Sequence, residues 1–220
     1  MVPNWAKNIL FLLVYMISGL ILIIIIEGLL SGGDLTPLNL VIEKLVVGLR
    51  TPTVTSLMVA LAKFGNPFFF SILSIFLTII LIMKRNFYDA ALLLAALIIA
   101  VVSLTILKNV FQITRPDSVI YSVEGWSFPS GHATVATTFF FLVAYIFFGR
   151  MKTLQGKTFL VVGSVFGTLV VSFSRLYLGA HWTLDILAGL ALGFLSVSFT
   201  VLIFNVFIEY RRSLRDRINL

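Results

Sequence analysis

The chain has 220 residues, of which 60% are hydrophobic and 11% are charged, whereas an ordinary soluble domain is about 25% charged. A soluble core of this size could not bury so much apolar surface, so the composition indicates a membrane protein. There are no cysteines, which excludes disulfides, thiolate metal sites and cysteine nucleophiles. The net charge of +7 favours contact with a membrane over contact with nucleic acid, and the positions of the basic residues decide between the two.

Six runs are apolar and long enough to cross about 30 Å of hydrocarbon as helices. They cover residues 9–26, 54–83, 89–108, 132–149, 158–174 and 184–208. The first run is longer than a signal-peptide core of about 7–15 residues and lacks a small-x-small cleavage site, so we interpret it as an uncleaved span. The second is interrupted at Gly65-Asn66-Pro67, where the helix either kinks or begins anew at Pro67.

Residues 27–53, between the first two spans, mix apolar side chains with Asn39, Glu43 and Lys44. This mixture predicts an amphipathic helix that lies in the membrane interface. The sequence contains no internal repeat, no low-complexity tract and no second domain. The predicted fold is an all-α membrane protein with six transmembrane helices and an interfacial helix between spans 1 and 2, in a single domain over residues 1–220.

The distribution of basic residues predicts the orientation. The termini and the turns at 84–88 and 150–157 lie on one side of the membrane and hold ten Lys and Arg residues, whereas the other side holds six. This bias predicts a multi-pass protein of the cytoplasmic membrane with both termini in the cytoplasm. We expect the C-terminal arginines at anionic lipid headgroups and no nucleic-acid partner. These arginines are Arg211, Arg212, Arg215 and Arg217. The sequence does not indicate an oligomeric state.

Several polar residues fall at the outer ends of spans 3 to 6. Lys108, Arg115 and Arg175 are cations with too few nearby acids to neutralise them, and the planar arginine fork suits phosphate. Pro129-Ser130-Gly131-His132 opens the fourth span, where free N–H groups and the helix dipole attract an anion. Glycine lets the backbone approach a ligand closely. Together these residues predict a phosphate site.

The only two histidines of the chain belong to the same set. His181 precedes Asp185 by four residues, so on a helical turn the two side chains share a face. The carboxylate would fix the tautomer of the ring and leave the other nitrogen free as a nucleophile. His132 would be the complementary acid that protonates the departing oxygen. These groups indicate phosphoryl transfer through a phosphohistidine, in which positioning and charge neutralisation carry most of the catalysis.

Simpler roles exist for some of these residues. Ser130 is also an N-cap and Asp185 a first-turn acid, and both roles are compatible with the catalytic ones. Capping or snorkelling to the interface accounts for Lys63 better than steering of a substrate does. Zinc on the histidines and aspartate is disfavoured by the three flanking cations, and no cluster of oxygen ligands exists for magnesium. We therefore predict neither a metal nor a cofactor.

Three motifs in this set resemble those of the type 2 phosphatidic acid phosphatase superfamily. They are Lys108-x6-Arg115-Pro116, Pro129-Ser130-Gly131-His132 and Ser174-Arg175-x5-His181-x3-Asp185. Their order and separations match the family pattern without departure. The motifs occupy residues 108–185, and the layout of spans extends the resemblance to most of the chain.

The resemblance implies metal-independent dephosphorylation of a lipid phosphate. In the family, the residue matching His181 is the nucleophile, the one matching Asp185 orients it, and the one matching His132 is the general acid. The residues that hold the phosphate match Lys108, Arg115, Ser130, Gly131 and Arg175. The compact chain is most similar to bacterial members, which act on phosphatidylglycerophosphate, undecaprenyl diphosphate or phosphatidic acid at the outer side of the cytoplasmic membrane.

Two other functions remain open from the sequence. A phosphotransferase would use the same residues to pass the phosphoryl group to a lipid or sugar hydroxyl instead of to water. A lipid carrier or scramblase is disfavoured, because transporters usually have polar or broken helices near the membrane midplane. The break at residues 65–67 is the one feature in favour of the carrier.

Overall fold

The structure is a computed structural model that describes residues 4–31, 36–120 and 123–218, with side chains only as far as residue 207. The predicted contact of the C-terminal arginines with lipid headgroups therefore lies outside the described residues. The described part of the chain is helical and contains no strand. Its helices are α1 (Asn4–Leu30), α2 (Thr36–Gly48), α3 (Pro52–Phe64), α4 (Pro67–Met83), α5 (Phe87–Phe111), α6 (Gly131–Phe148), α7 (Leu154–Tyr177) and α8 (Thr183–Ile218).

Within these ranges, five helices are long and apolar enough to cross a membrane, namely α1, α5, α6, α7 and α8. The pair α3 and α4 forms a sixth candidate that is bent by 43° at the break between them. The predicted all-α membrane fold is therefore confirmed, with five candidate spans, or six if the bent pair crosses the membrane as one span. Most large exposed side chains on these helices are apolar, as a surface in contact with lipid requires.

The break in the second span is made by residues that end one helix and begin the next. The backbone N–H of Gly65 donates to the carbonyl of Leu61 at 2.7 Å and closes α3. The side chain of Asn66 accepts the N–H of Phe68 at 2.8 Å and caps α4. Pro67 takes the first position of α4, where its missing N–H costs no hydrogen bond. A new helix therefore begins at Pro67, and α3 is a helix of its own.

Helix α2 occupies the position of the predicted interfacial helix and packs on α7 and α8. The side chain of Asn39 accepts the backbone N–H of Leu184 at 3.1 Å, at the start of α8. Just after α2, Arg50 donates to the carbonyls of Tyr177 at 3.0 Å and Ser118 at 2.8 Å. These bonds attach α2 and the residue just after it to the end of α7, the start of α8 and the loop at Ser118, around the turn that carries the second histidine.

Helix α6 lies at the centre of the bundle and packs on α4, α5, α7 and α8. The hydroxyl of Thr134 donates to the carbonyl of Ser130 at 2.9 Å, so this buried polar group is satisfied within its own helix. Two glycines of α8 allow close packing on α6. A Cβ on Gly189 would lie 2.7 Å from the Ser130 carbonyl oxygen, and one on Gly193 would lie 2.6 Å from Cβ of Thr137. This close approach brings the start of α8 against the start of α6.

Candidate active site

The predicted site residues come together at one end of the bundle, where α5, α6 and α7 and the start of α8 meet. Lys108 belongs to the last turn of α5, and Arg175 to the last turn of α7. Six charged or ionisable side chains of the predicted site form a network, in which each interacts electrostatically with at least one other member. The side chains that take part in this network are Lys108, Arg115, His132, Arg175, His181 and Asp185.

His181 and Asp185 form a buried pair, with Nδ1 of the ring 3.5 Å from Oδ2 of the carboxylate. The condition for a shared helical face is not met, because α8 begins only at Thr183 and His181 precedes it. Asp185 instead reaches back to accept the N–H of Trp182 at 2.8 Å, in the manner of a capping box. This cap turns the carboxylate towards the ring of His181, the residue before Trp182.

The other ring nitrogen of His181, Nε2, lies 3.5 Å from a guanidinium nitrogen of Arg115. Because a guanidinium can only donate hydrogen bonds, this contact favours the tautomer with a lone pair on Nε2 and the ring proton on Nδ1, beside Asp185. Burial lowers the pKa of His181 well below that of an exposed histidine, and the cations Arg175, Arg115 and Lys108 lower it further. The ring is therefore neutral at neutral pH.

Arg115 also joins two loops through backbone carbonyls. Its guanidinium donates to the carbonyl of Ala180, just before His181, and to those of Gly125 and Glu124, both at 3.0 Å. Lys108 donates to carbonyls of the same loop, at residues 126 and 127. Arg115 therefore holds the loop that leads into α6 against the turn that carries His181, and Lys108 holds the same loop against the end of α5. The sequence did not indicate these roles.

Ser130 and Gly131 form the predicted helix start. The Ser130 hydroxyl accepts the N–H of Ala133 at 3.4 Å, which is the geometry of an N-cap. Its backbone N–H donates to the carbonyl of Asp185 at 2.9 Å, so the tetrapeptide is bonded directly to the start of α8. A Cβ on Gly131 would lie 3.3 Å from Leu104 and 3.5 Å from Pro67. The start of α6 is therefore closely packed against α5 and the start of α4, and a larger side chain at Gly131 would require Leu104 to shift by a few tenths of an ångström.

His132 is half-buried and hydrogen-bonds to the backbone of Ala62, near the end of α3. Arg175 and His181 are close enough to interact electrostatically with its ring. The two histidines thus face the same site, His132 from α6 and His181 from the turn before α8, with the buried Arg175 near both. The sequence indicated this pairing by the motifs but not the contact with α3.

Sequence reasoning missed two parts of the site. Ser127 is fully buried, its hydroxyl donates to the carbonyl of Thr114 at 3.0 Å, and it lies within hydrogen-bonding reach of the Asp185 carboxylate. Nothing in its sequence context distinguishes it from an ordinary loop serine. The Ala62 backbone was also missed, although the break at residues 65–67 showed that the chain changes direction nearby.

The described residues contain no group of three His, Asp or Glu side chains that could hold a metal ion. What they offer is a set of cations, Lys108, Arg115 and Arg175, around a neutral imidazole. Such a set can bind the oxygens of a phosphate and stabilise charge that develops on them. The expectation that no metal or cofactor takes part stays a prediction.

Comparison with known proteins agrees with this geometry. The model of the PAP2 superfamily matches residues 89–209. An undecaprenyl-diphosphatase of Sulfolobus acidocaldarius is 30% identical over 182 residues, covering 77% of this chain and 82% of that protein. Phosphatidylglycerophosphatase B of Bacillus subtilis is 28% identical over 157 residues, covering 70% and 77%. The crystal structure of a transmembrane PAP2-type phosphatidylglycerolphosphate phosphatase from Bacillus subtilis aligns with a TM-score of 0.73 at 23% identity, covering 93% and 96%.

The chain therefore belongs to the PAP2 superfamily, the family that its three motifs predicted. Within that superfamily it is a membrane phosphatase. The motifs and the compact chain also led us to expect a resemblance to phosphatidylglycerophosphate phosphatase B, and the comparisons confirm this resemblance.

Proposed function

We propose that the protein hydrolyses the phosphomonoester or diphosphate of a membrane lipid through a phosphohistidine, without a metal ion. The observation that carries this proposal is the environment of His181. Its Nδ1 lies 3.5 Å from Asp185, its Nε2 faces Arg115, and its lowered pKa keeps the ring neutral. A buried neutral imidazole whose lone pair faces cations is poised to attack a bound phosphate.

In the first step, Nε2 of His181 forms a bond to phosphorus while the bond from phosphorus to the leaving oxygen breaks. His132 gives its proton to that oxygen, and the lipid alcohol or lipid monophosphate leaves. Asp185 stabilises the positive charge that the attacking ring acquires. Lys108, Arg115 and Arg175 neutralise the charge on the three phosphoryl oxygens, and the N–H groups at the start of α6 supply further donors.

In the second step, water attacks the phosphohistidine and His132 accepts its proton, reversing its first role. The bond between Nε2 and phosphorus breaks and inorganic phosphate is released. The names of the relatives suggest two candidate substrates, undecaprenyl diphosphate and phosphatidylglycerophosphate. The charge bias supports a site that faces outward from the cytoplasmic membrane, with both termini inside.

Phosphate release by the purified protein tests the proposal. The assay contains EDTA and a panel of phosphatidylglycerophosphate, undecaprenyl diphosphate and phosphatidic acid. We expect turnover by the wild type and by Lys84→Ala, a control that removes an exposed cation outside the site, but not by His181→Ala. Normal release by a folded His181→Ala protein would refute the nucleophile.

The same assay separates the remaining functions. An alkaline quench preserves phosphohistidine, so labelled substrate should leave label on the wild type and none on His181→Ala. Recovery of the label in an added lipid or sugar alcohol, with no free phosphate, would make the protein a phosphotransferase. Movement of labelled lipid across liposomes without any phosphate release would make it a carrier or scramblase.

A further inference from the structure

The turn that carries His181 begins with a regular closure of α7. The backbone N–H of Ala180 donates to the carbonyl of Arg175 at 3.0 Å, and the N–H of Gly179 donates to the carbonyl of Leu176 at 2.9 Å. Together with the left-handed backbone of Gly179, at a φ of 66°, these two bonds form a Schellman motif. His181 follows Ala180 directly, so this motif determines where the backbone of the histidine lies.

The last carbonyl of α7, that of Tyr177, is not part of this motif. Its partner is Arg50, whose Nε donates to it at 3.0 Å from the connection between α2 and α3. Tyr177 is 1% exposed, so without this donor its carbonyl would be buried and unpaired, which is costly. The positive charge of Arg50 also complements the negative end of the helix dipole.

The guanidinium of Arg50 binds the second outer loop as well. Its Nη1 donates to the carbonyl of Ser118 at 2.8 Å. Two residues further along this loop, the N–H of Ile120 donates to the carbonyl of Leu178 at 3.1 Å. The loop is therefore joined to the turn both directly and through Arg50, and the fork of the guanidinium bridges the two segments.

Arg50 also lies against the turn itself. A Cβ on Gly179 would lie 2.7 Å from the Ser118 carbonyl oxygen and 2.9 Å from Nη2 of Arg50. Glycine at this position therefore makes room for the bridge as well as for the left-handed turn. Past the glycine, the guanidinium of Arg115 donates to the carbonyl of Ala180. Arginines therefore hold the turn on both sides of Gly179 along the chain.

We propose that Arg50 is a positioning residue for His181, because its bridge between the end of α7 and the loop at Ser118 sets the place from which the nucleophile attacks. The inference rests on the proposed function and deepens it. Arg50 belongs to none of the three motifs and precedes the residues 89–209 that the family model matches. Its bonds to Tyr177 and Ser118 go to backbone carbonyls, so it acts through the backbone and not on the phosphate.

Steady-state kinetics of Arg50→Ala test the proposal. We expect kcat to fall by about 100-fold, the loss that misplacement of a reacting group by about 1 Å produces. KM should stay unchanged, because the cations proposed to hold the phosphate are all retained. These cations are Lys108, Arg115 and Arg175. The matched control is Lys44→Ala, which removes an exposed cation of α2 and should leave both constants unchanged. A raised KM with an undiminished kcat in Arg50→Ala would overturn the positioning role.

Arg50→Lys separates the bridge from the charge. Lysine keeps a positive charge near the end of α7, but it presents a single point of charge in place of the fork. We expect the kcat of Arg50→Lys to lie between those of Arg50→Ala and the wild type, again with an unchanged KM. Full wild-type kcat would show that charge at the helix end is sufficient and would overturn the bridge. If Arg50→Ala does not fold, Arg50→Lys carries the same comparison of kcat with KM.

Hydrogen exchange separates failure of this inference from failure of the proposed function, because it needs no turnover. In Arg50→Ala the amides of Leu178, Gly179 and Ala180 should exchange about tenfold faster than in the wild type, and in Lys44→Ala they should not. Unchanged exchange in Arg50→Ala, or faster exchange with an undiminished kcat, would overturn the proposal. If the wild type releases no phosphate from any lipid, the proposed function fails, and the exchange rates still decide whether Arg50 holds the turn.

Discussion

Nδ1 of His181 lies 3.5 Å from Oδ2 of Asp185, and the two side chains are 3% and 2% exposed. The same carboxylate oxygen accepts the N–H of Trp182 at 2.8 Å. A single carboxylate oxygen of Asp185 therefore caps the start of α8 and contacts the ring of His181. The position of His181, the proposed nucleophile, therefore depends on the cap at the start of α8. Its contact with Asp185 is lost if that end of the helix unfolds.

Replacing Asp185 by asparagine separates these two functions. The amide oxygen of Asp185→Asn can still accept the Trp182 N–H, so we expect the protein to fold and insert normally. It cannot stabilise a positively charged ring, and kcat should fall by about 10⁴-fold, as for the carboxylate in a serine-protease triad. Phosphate release and the melting temperature are measured together. A variant with unchanged melting and undiminished kcat would contradict the orienting role.

Arg115→Lys should be more damaging than a conservative exchange of charge. A lysine presents one point of charge and cannot replace a fork that reaches the carbonyls of Ala180, Gly125 and Glu124. We expect the free energy of unfolding to fall by about 1–3 kcal/mol and kcat/KM to fall as well. Arg85→Lys, at an exposed turn outside the site, is the control and should be neutral. Loss of activity with no loss of stability would show that Arg115 acts only on the substrate.

The pH dependence of kcat/KM reports the proton on His181. Its pKa is lowered by burial and by Arg175, Arg115 and Lys108, so the ring gains a proton only at a pH below the usual value of about 6.5. Removing one cation in Arg115→Gln raises this pKa, and the variant then loses its neutral nucleophile at a higher pH than the wild type does.

The ratio of variant to wild-type kcat/KM cancels the titration of the substrate phosphate. We expect this ratio to fall as the pH is lowered from about 8 to about 5. A ratio that is constant, or that rises in acid, would mean that Arg115 does not act on the charge of His181.

Close packing of α6 and α8 should also be necessary for activity. In Gly189→Ala the new Cβ would lie 2.7 Å from the Ser130 carbonyl oxygen and 2.9 Å from Cβ of Ala133. A backbone neighbour cannot move aside cheaply, so the helices must separate, at a cost of about 1–3 kcal/mol. The bond from the Ser130 N–H to the Asp185 carbonyl crosses this interface, and kcat/KM should fall with it.

Gly163→Ala is the matched control, because a Cβ at that glycine of α7 meets nothing within 4 Å. It should leave activity unchanged and can gain up to about 1 kcal/mol from helix propensity. Melting curves and phosphate release of the two variants are compared. Equal behaviour of Gly189→Ala and Gly163→Ala would show that the glycine contact does not position the site.

Much of the fold could be predicted because a lipid bilayer restricts the length and the composition of any helix that crosses it. A spanning helix must be long and apolar, so α1 and α5 to α8 are visible as hydrophobic runs. The polar residues of the site are visible for the same reason, since ionisable side chains such as Arg175 and His181 stand out against the apolar runs that they adjoin. Even the break in the second span is marked by Pro67.

The remaining features depend on the backbone, which side-chain patterns do not display. The sequence showed that Lys108 and Arg115 lack nearby acids, but not that loop carbonyls are their partners. It contained the spacing of His181 and Asp185, but the contact arises from a cap and not from a shared helical face. The neighbour of His132 is likewise a main-chain group. Such contacts follow from turn geometry and packing angles.

The hydrogen bond between His132 and the backbone of Ala62 follows from the end of α3 nearby. Substitution can delete a side-chain partner, but a peptide group remains whichever residue carries it and can only be displaced. The orientation of His132, the proposed proton donor, therefore depends on the angle between α3 and α4 at residues 65–67. Because Ala62 is buried, only the removal of its side chain, as in Ala62→Gly, would leave this hydrogen-bond partner in place. A change in the bend at residues 65–67 would move the partner without altering any residue of the three motifs.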